Sequence, residues 1–281
     1  AGAKSFLNAH LHDNPEPEYV SAVNEGIYEA CRANGYFLLP APVDRSRKDF
    51  LDRLQQFLMT SRADSVVLSP PLCDDNRILS LLQETQTPYA SLSPSERQKG
   101  VATVRMDDRL AAKDIVKHLI KLGHERIALI SGPEGRNAST GRRDGYLDAM
   151  LEARIEIDQE AIVIGDYSLR SGLDAARLLL AQTKPPTAIF AANDDMAVGA
   201  MTAIMAAGLS IPGDISVAGF DDTRLASAVW PALTTIRQPV ADMAKRAAEH
   251  LMAMDGLSKA DDVFDFELVL RQSTGPVPGP S

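Results

Sequence analysis

Cysteine is nearly missing: Cys31 and Cys73 are the only two in 281 residues. That excludes a disulfide framework and a cysteine-based metal cluster. Long apolar runs are missing as well, and none reaches the roughly 20 residues needed to span a bilayer. The start AGAKSFLNAH has no basic segment followed by a long apolar stretch, so no secretory signal is visible. Positive charge is in deficit, with 38 Asp and Glu against 29 Lys and Arg and a net charge of -9, so the chain as a whole attracts neither nucleic acid nor an anionic membrane. Two further absences concern chemistry: there is no Gly-x-Ser-x-Gly nucleophile elbow and no Gly-Lys-Ser/Thr phosphate loop. A reducing cytoplasm fits this profile, and a mature exported chain would share it, which keeps a periplasmic reading open.

What is present is an ordinary globular composition, 45% hydrophobic, enough for one large core or two smaller ones. Short β-type runs alternate with helical stretches from end to end. Strands are expected at 5–9, 36–39, 65–69, 89–92, 101–104, 126–131, 162–165, 187–191, 215–219 and 266–270. Helices fit at 18–33, 48–60, 109–122, 142–151, 171–181, 196–207 and 240–254, and Gly35, Gly123 and Gly208 each follow one, where a left-handed residue stops a helix. Such alternation implies an α/β fold with parallel sheets covered by helices on both faces.

One segment, TAIFAANDDMAVGAM, reads as a buried strand that stops at Asn-Asp-Asp and gives way to a helix. Open α/β sheets bind ligands at such strand ends, and Asn193 is expected to cap the helix with side-chain atoms free to face a crevice. After the strand ending at Ser131, the loop SGPEGRNASTGRR leads into a helix and offers Arg136 and Arg142 as forked donors to ligand oxygens. GDYSLRSG places Tyr167 past another strand end, where an aromatic ring suits ligand stacking and core packing equally well. ISVAGF delivers Asp221, a carboxylate that accepts hydroxyl groups in pairs. Arg142, Tyr167, Asn193 and Asp221 therefore come from consecutive strand ends of one sheet.

The remaining polar features are blander. His10, His12 and Asp13 read as solvated or ligand-facing residues before they read as metal ligands, and His124 in LGHERIALI reads as structural. In the pairs Asp194-Asp195 and Asp221-Asp222 neighbouring carboxylates point apart, so each pair is expected to supply one crevice residue and one capping residue, not an acid–base couple. No enzyme activity, metal or cofactor is expected.

The stretches LGHERIALISGP, RRDGYLDAM, PTAIFAANDDMAVGAM, GLSIPGDISVAGFDD, PALTTIRQP and LVLRQSTGP, with NGYFLLP and DSVVLSPP in the first half, resemble the effector-binding core of LacI/GalR-type bacterial transcription regulators. That core shares its fold with type I periplasmic sugar-binding proteins. PALTTIRQP and LRQST favour the regulators, and a periplasmic sugar-binding protein of a transporter is the alternative.

The resemblance implies two doubly wound parallel-sheet lobes joined by three crossovers. An N-terminal lobe would comprise residues 1–104 plus 237–263 and a C-terminal lobe residues 105–236 plus 264–281. It also implies a cytoplasmic homodimer and a small effector in the interlobe cleft: a mono- or disaccharide, with a sugar acid or sugar phosphate as runner-up. Carried over by position, the effector contacts fall on Arg142, Asn193, Asp221, Tyr167, Arg136 and Ala138, and on Ser93, Tyr19, Val20 and Asn14 of the first lobe. NPEPEY departs from the aromatic residue that often follows Asn-Pro in the family, and Ala138 replaces a common hydroxyl residue. The chain opens on the first core strand, so operator DNA would be reached only through an N-terminal helix-turn-helix outside it. Arg142→Ala is expected to weaken effector binding and leave the core folded.

Overall fold

The computed structural model describes residues 5–13, 17–253 and 260–277. The chain divides into two compact units, Ala1–Met106 with Pro239–Asp265 and Asp107–Gln238 with Phe266–Ser281.

The first unit runs β1 (Leu7–His12), α1 (Pro17–Asn34), β2 (Phe37–Pro42), α2 (Phe50–Ser61), β3 (Ser65–Leu68), α3 (Asn76–Glu84), β4 (Tyr89–Leu92) and β5 (Ala102–Met106). The chain then builds most of the second unit with α4 (Asp108–Lys121), β6 (Ile127–Ser131), α5 (Asn137–Glu152), β7 (Ile162–Ile164), α6 (Leu169–Leu180), β8 (Ala188–Ala191), α7 (Asp194–Ala206), β9 (Ser216–Ala218), α8 (Arg224–Ala228) and β10 (Thr235–Arg237). It returns to the first unit for α9 (Val240–Met252) and β11 (Asp261–Phe264), and ends in the second with β12 (Glu267–Val269).

Parallel pairing orders the first sheet β11-β5-β4-β3-β1-β2 and the second β7-β6-β8-β9, while β10 and β12 form an antiparallel pair. The fully buried strands β3, β4, β6 and β8 read SVVL, YASL, IALIS and AIFA, near-continuous runs of small and apolar residues suited to sheets covered on both faces. β2 is an edge strand, and Pro40 and Pro42 leave it without two of the N–H groups that a further strand would need.

Several elements depart from the sequence reading. β1 starts at Leu7 and extends to His12, and α5 begins at Asn137, which puts Arg142 inside the helix and not at its start. The strands β10 and β11 and the helices α3 and α8 were not expected at all. β11 reads DDVF and β10 reads TIR, too short and too polar to show a period.

Close helix pairs hold each unit. Gly26 of α1 faces α9 so closely that a Cβ there would lie 1.9 Å from the Ala241 carbonyl oxygen, and a Cβ on Gly199 of α7 would lie 2.1 Å from the Leu169 carbonyl oxygen of α6. Backbone cannot give way as a flexible side chain does. Gly26→Ala is therefore expected to destabilise the first unit by about 1–3 kcal/mol through overpacking, read as a lower urea midpoint at constant slope. An unchanged midpoint would show that α9 can move aside.

His10 is fully buried on β1, with Nδ1 2.8 Å from Asn24 Oδ1 and Nε2 3.1 Å from Ser69 Oγ, and burial pushes its pKa down to about 4. His124 is equally buried: its Nδ1 meets Thr187 Oγ1 at 3.0 Å and its Nε2 meets Gly275 O at 3.0 Å, which ties the start of β8 to the closing segment. Among the described residues no group of His, Cys, Asp and Glu could hold a metal, and no helix is long and apolar enough to cross a membrane.

Candidate functional site

In the second unit the segments after β6, β7, β8 and β9 all leave the carboxyl edge of one parallel sheet, so its topology brings their first residues together. At the centre is Arg142 on α5, whose side chain is only 6% exposed. Its Nε donates to Asp108 Oδ1 at 2.9 Å, its Nη1 donates to Ala192 O at 2.5 Å, and the same Nη1 stands 3.4 Å from Asp221 Oδ1. The guanidinium carbon lies 3.7 Å above the centre of the Phe220 ring, within cation–π range. Burial opposes the charge, but Asp108 and Asp221 outweigh burial and raise the pKa of Arg142 above the ordinary arginine value. Nη2 has no partner among the described residues, so two N–H groups of a rigid, charged fork remain unspent.

Asp221 is half-buried and sits at φ 115, a left-handed conformation unusual for a residue with a side chain. Its backbone N–H donates to Ile236 O at 2.8 Å, and its Oδ1 accepts from Gln238 Nε2 at 2.5 Å. Asp221 thus lies between Arg142 and Gln238, with two donors on the same carboxylate oxygen.

Asn193 is 2% exposed, and its side chain is engaged, contrary to the expectation of free atoms. Oδ1 caps α7 by accepting from Met196 N at 2.9 Å, and Nδ2 donates to Tyr167 O at 2.9 Å. The cap is as expected; the second bond locks the turn that carries Tyr167. The second N–H of Nδ2 has no partner among the described residues.

Tyr167 adopts φ 71, and its ring goes into packing: the hydroxyl is 2.7 Å from Ser139 Oγ, and a Cβ on Gly132 would lie 2.3 Å from the ring. Tyr167 is 8% exposed, packs in the core of this unit and braces the loop before α5. Arg136 occupies the position before α5 without capping it through its side chain, and both Arg136 and Ala138 are half-buried.

Neither acidic pair divides as expected. Asp194 follows the cap and is fully buried, with Oδ2 accepting from Thr223 N at 2.7 Å and Oδ1 from Thr235 Oγ1 at 2.6 Å. Burial is the main cause that pushes its pKa up to about 7. Asp195 lies half-buried in the same first turn of α7. Asp222, like Asp194, takes its partners from the loops and strands around β10 and caps no helix.

In the first unit, Tyr19 and Val20 lie half-buried in the first turn of α1, and half-buried Ser93 follows β4 at φ 44 with its N–H on Val104 O at 2.9 Å. Asn14 lies outside the described residues. Arg62, Gln86 and Arg154, also at positive φ, terminate helices, where that conformation is routine. Ser93, Tyr167 and Asp221 instead follow strand ends, and strained backbone there is characteristic of ligand sites.

Sequence reasoning missed Asp108, Phe220, Gln238 and Ser139. Phe220 stands beside Asp221 in AGFDD and carried a usable signal; Asp108 and Arg142 meet only through the packing of α4 on α5, which no short-range pattern shows.

Residues 116–274 match the periplasmic binding protein-like domain. Among curated relatives, the PurR transcriptional repressor of Proteus mirabilis is 32% identical over 280 residues, covering 95% of this chain and 80% of the repressor. The probable ExuR repressor of Bacillus subtilis is 35% identical over 215 residues, covering 75% of this chain and 65% of that protein, so the chain spans just under two thirds of its length. Among solved structures, a LacI-family regulatory protein from Chloroflexus aggregans superposes with TM-score 0.86 at 27% identity over 96% of this chain and 99% of that one. The cellobiose complex of the regulator CelR gives the same TM-score of 0.86 and 27% identity, covering 96% of this chain and 85% of that one. The chain belongs to the LacI family of transcriptional regulators. Its relatives are repressors, which supports the regulator reading over that of a transporter's binding protein.

Proposed function

We propose that this chain senses a small neutral sugar and passes the signal to a DNA-binding segment of a cytoplasmic, homodimeric repressor. The observation that carries the reading is Arg142, a buried and rigid guanidinium with its Nη2 fork unspent beside the Asp221 carboxylate. One donor fork next to one acceptor suits vicinal hydroxyl groups, and the remaining N–H of Asn193 adds a donor. Two carboxylates already flank Arg142, so the local charge favours a neutral mono- or disaccharide over a sugar acid or phosphate. Arg136 is the group that would serve an anion. Tyr19, Val20 and Ser93 are proposed as further contacts. Cellobiose in the CelR complex is a ligand of this chemical class. Nothing in the cluster pairs a nucleophile with an acid or base, so binding without turnover is the proposed activity.

A thermal-shift screen with cellobiose, ribose and D-glucuronate tests the ligand class. A sugar present at about 100 times its Kd adds about 2.7 kcal/mol of apparent stability and raises Tm. A shift with a neutral sugar is expected. A shift with D-glucuronate alone would move the assignment to sugar acids, and no shift with any sugar would overturn it. Sedimentation at micromolar concentration tests the homodimer, and a monomer there would count against it.

A further inference from the structure

We propose that Asp222 is the positioning residue of the effector site: by clamping Arg237 and Arg271 it holds the strained Asp221–Asp222 turn, and so aims Asp221 at the ligand position beside Arg142. The proposal rests on the reading of Asp221 as a ligand contact.

Asp221 and Asp222 are successive side-chain-bearing residues at positive φ, 115 and 55. Such a turn persists only where its surroundings over-determine it. The Asp222 side chain is 7% exposed and receives two guanidinium donors: Arg271 Nη2 on Oδ1 at 2.6 Å and Arg237 Nε on Oδ2 at 2.7 Å.

Both arginines are themselves anchored. Arg237 ends β10 and donates through Nη1 to Glu267 Oε2 at 2.5 Å, across the antiparallel pair. Arg271 follows β12 and donates through Nη1 to Leu233 O at 2.8 Å, while its backbone N–H meets Thr234 Oγ1 at 3.0 Å. The carboxylate of Asp222 is thus tied to both members of the β10–β12 pair, and this fixes the backbone that carries Asp221. Gln238, the residue after Arg237, then donates to the Asp221 carboxylate, so β10 holds the turn from one side and its continuation orients the side chain from the other. Asp222 is charge-satisfied by its two arginines, while Asp221 Oδ1 stands 3.4 Å from Arg142 Nη1, which leaves Asp221 as the carboxylate of this turn that serves the ligand.

Hydrogen exchange tests the clamp without any ligand. In Asp222→Asn the Asp221 amide, bonded to Ile236 O at 2.8 Å, is expected to exchange at least about tenfold faster, with the β6 and β8 amides unchanged. Arg271→Met removes one arm and should give a smaller change of the same kind, which keeps the test open if the first variant does not fold. An unchanged Asp221 rate, or equal acceleration of every amide in the unit, would overturn the proposal, because a merely structural role acts on the whole unit.

Calorimetry with cellobiose, ribose and D-glucuronate supplies the second arm. Any of these that binds the unaltered chain should bind Asp222→Asn about tenfold more weakly or worse, and equal affinity would overturn the positioning role. Failure of all three to bind the unaltered chain would count against the sugar reading, while the exchange result still decides on the clamp.

Discussion

Replacing Arg142 by alanine is expected to destabilise the second unit by about 3–5 kcal/mol and to abolish sugar binding, because breaking a buried ion pair leaves its partners desolvated and uncompensated. Asp108 and Asp221 have 12% and 15% of their side-chain surface exposed, so the guanidinium is what balances them. The Ala192 carbonyl loses its donor, and the Phe220 face loses its cation. The expectation that this variant would leave the core untouched treated Arg142 as a ligand-facing residue alone; the structure makes it a support of the fold as well.

A second substitution separates the two roles. Asp108→Asn added to Arg142→Ala removes one orphaned charge and should recover part of the lost stability without recovering binding. Urea unfolding gives the first quantity and calorimetry the second. If the single variant unfolded at the midpoint of the unaltered chain, the central place given to Arg142 would be wrong.

The parts of this fold that were legible in the sequence are those where burial is continuous and local. AIFA at β8 is apolar on both faces, and the asparagine that follows is a cap by residue type and position; both show in a short window. β11 is an edge strand whose DDVF sequence pairs with β5 and carries Asp261 and Asp262 as partners of Arg105 and Arg246. Its strand character comes from a neighbour far away in sequence, not from its own residues, and propensity works against it. The site behaves in the same way. Asn193 and Asp221 follow strand ends, which the alternation of elements locates, while Arg142 lies within α5. The direction of each side chain, in contrast, depends on Asp108, Tyr167 and Gln238, which approach only when α4 packs on α5 and β10 runs beside the Asp221 turn. Chemistry at an element end is readable; the bonds that orient it are tertiary.

Asp194 contributes a pH dependence of unusual sign to the second unit. An ordinary stabilising carboxylate has a lowered pKa and loses its contribution as the pH falls. Asp194 has a raised one, from 3.8 to about 7, and burial is the leading cause. Between those values the folded chain holds a proton that the unfolded chain has released. The contribution of Asp194 is therefore complete below about pH 4 and is lost as the pH rises through 7. At about 1.4 kcal/mol per unit, the effect amounts to a few kcal/mol.

Asn has the shape of Asp194 and cannot ionise, so Asp194→Asn isolates the effect. The amide oxygen can accept from Thr223 N, and the Thr235 hydroxyl can turn to accept from the new amide. Relative to the variant, the unaltered second unit should lose stability from pH 5 to pH 8; burial also pushes the pKa values of His118 and His124 down, which acts in the opposite direction but equally in both chains. His10 works in the opposite direction in the first unit: with a pKa pushed down to about 4, it stays neutral in the folded chain while the unfolded chain protonates near 6.5, so that unit weakens as the pH falls through this range. Urea unfolding read separately for the two units should therefore show Asp194→Asn changing the slope of the second unit against pH and leaving that of the first unit as it is. If Asp194→Asn kept the slope of the unaltered chain, the proton would reside elsewhere, and the bonds from Thr223 and Thr235 would have to hold Asp194 as a carboxylate.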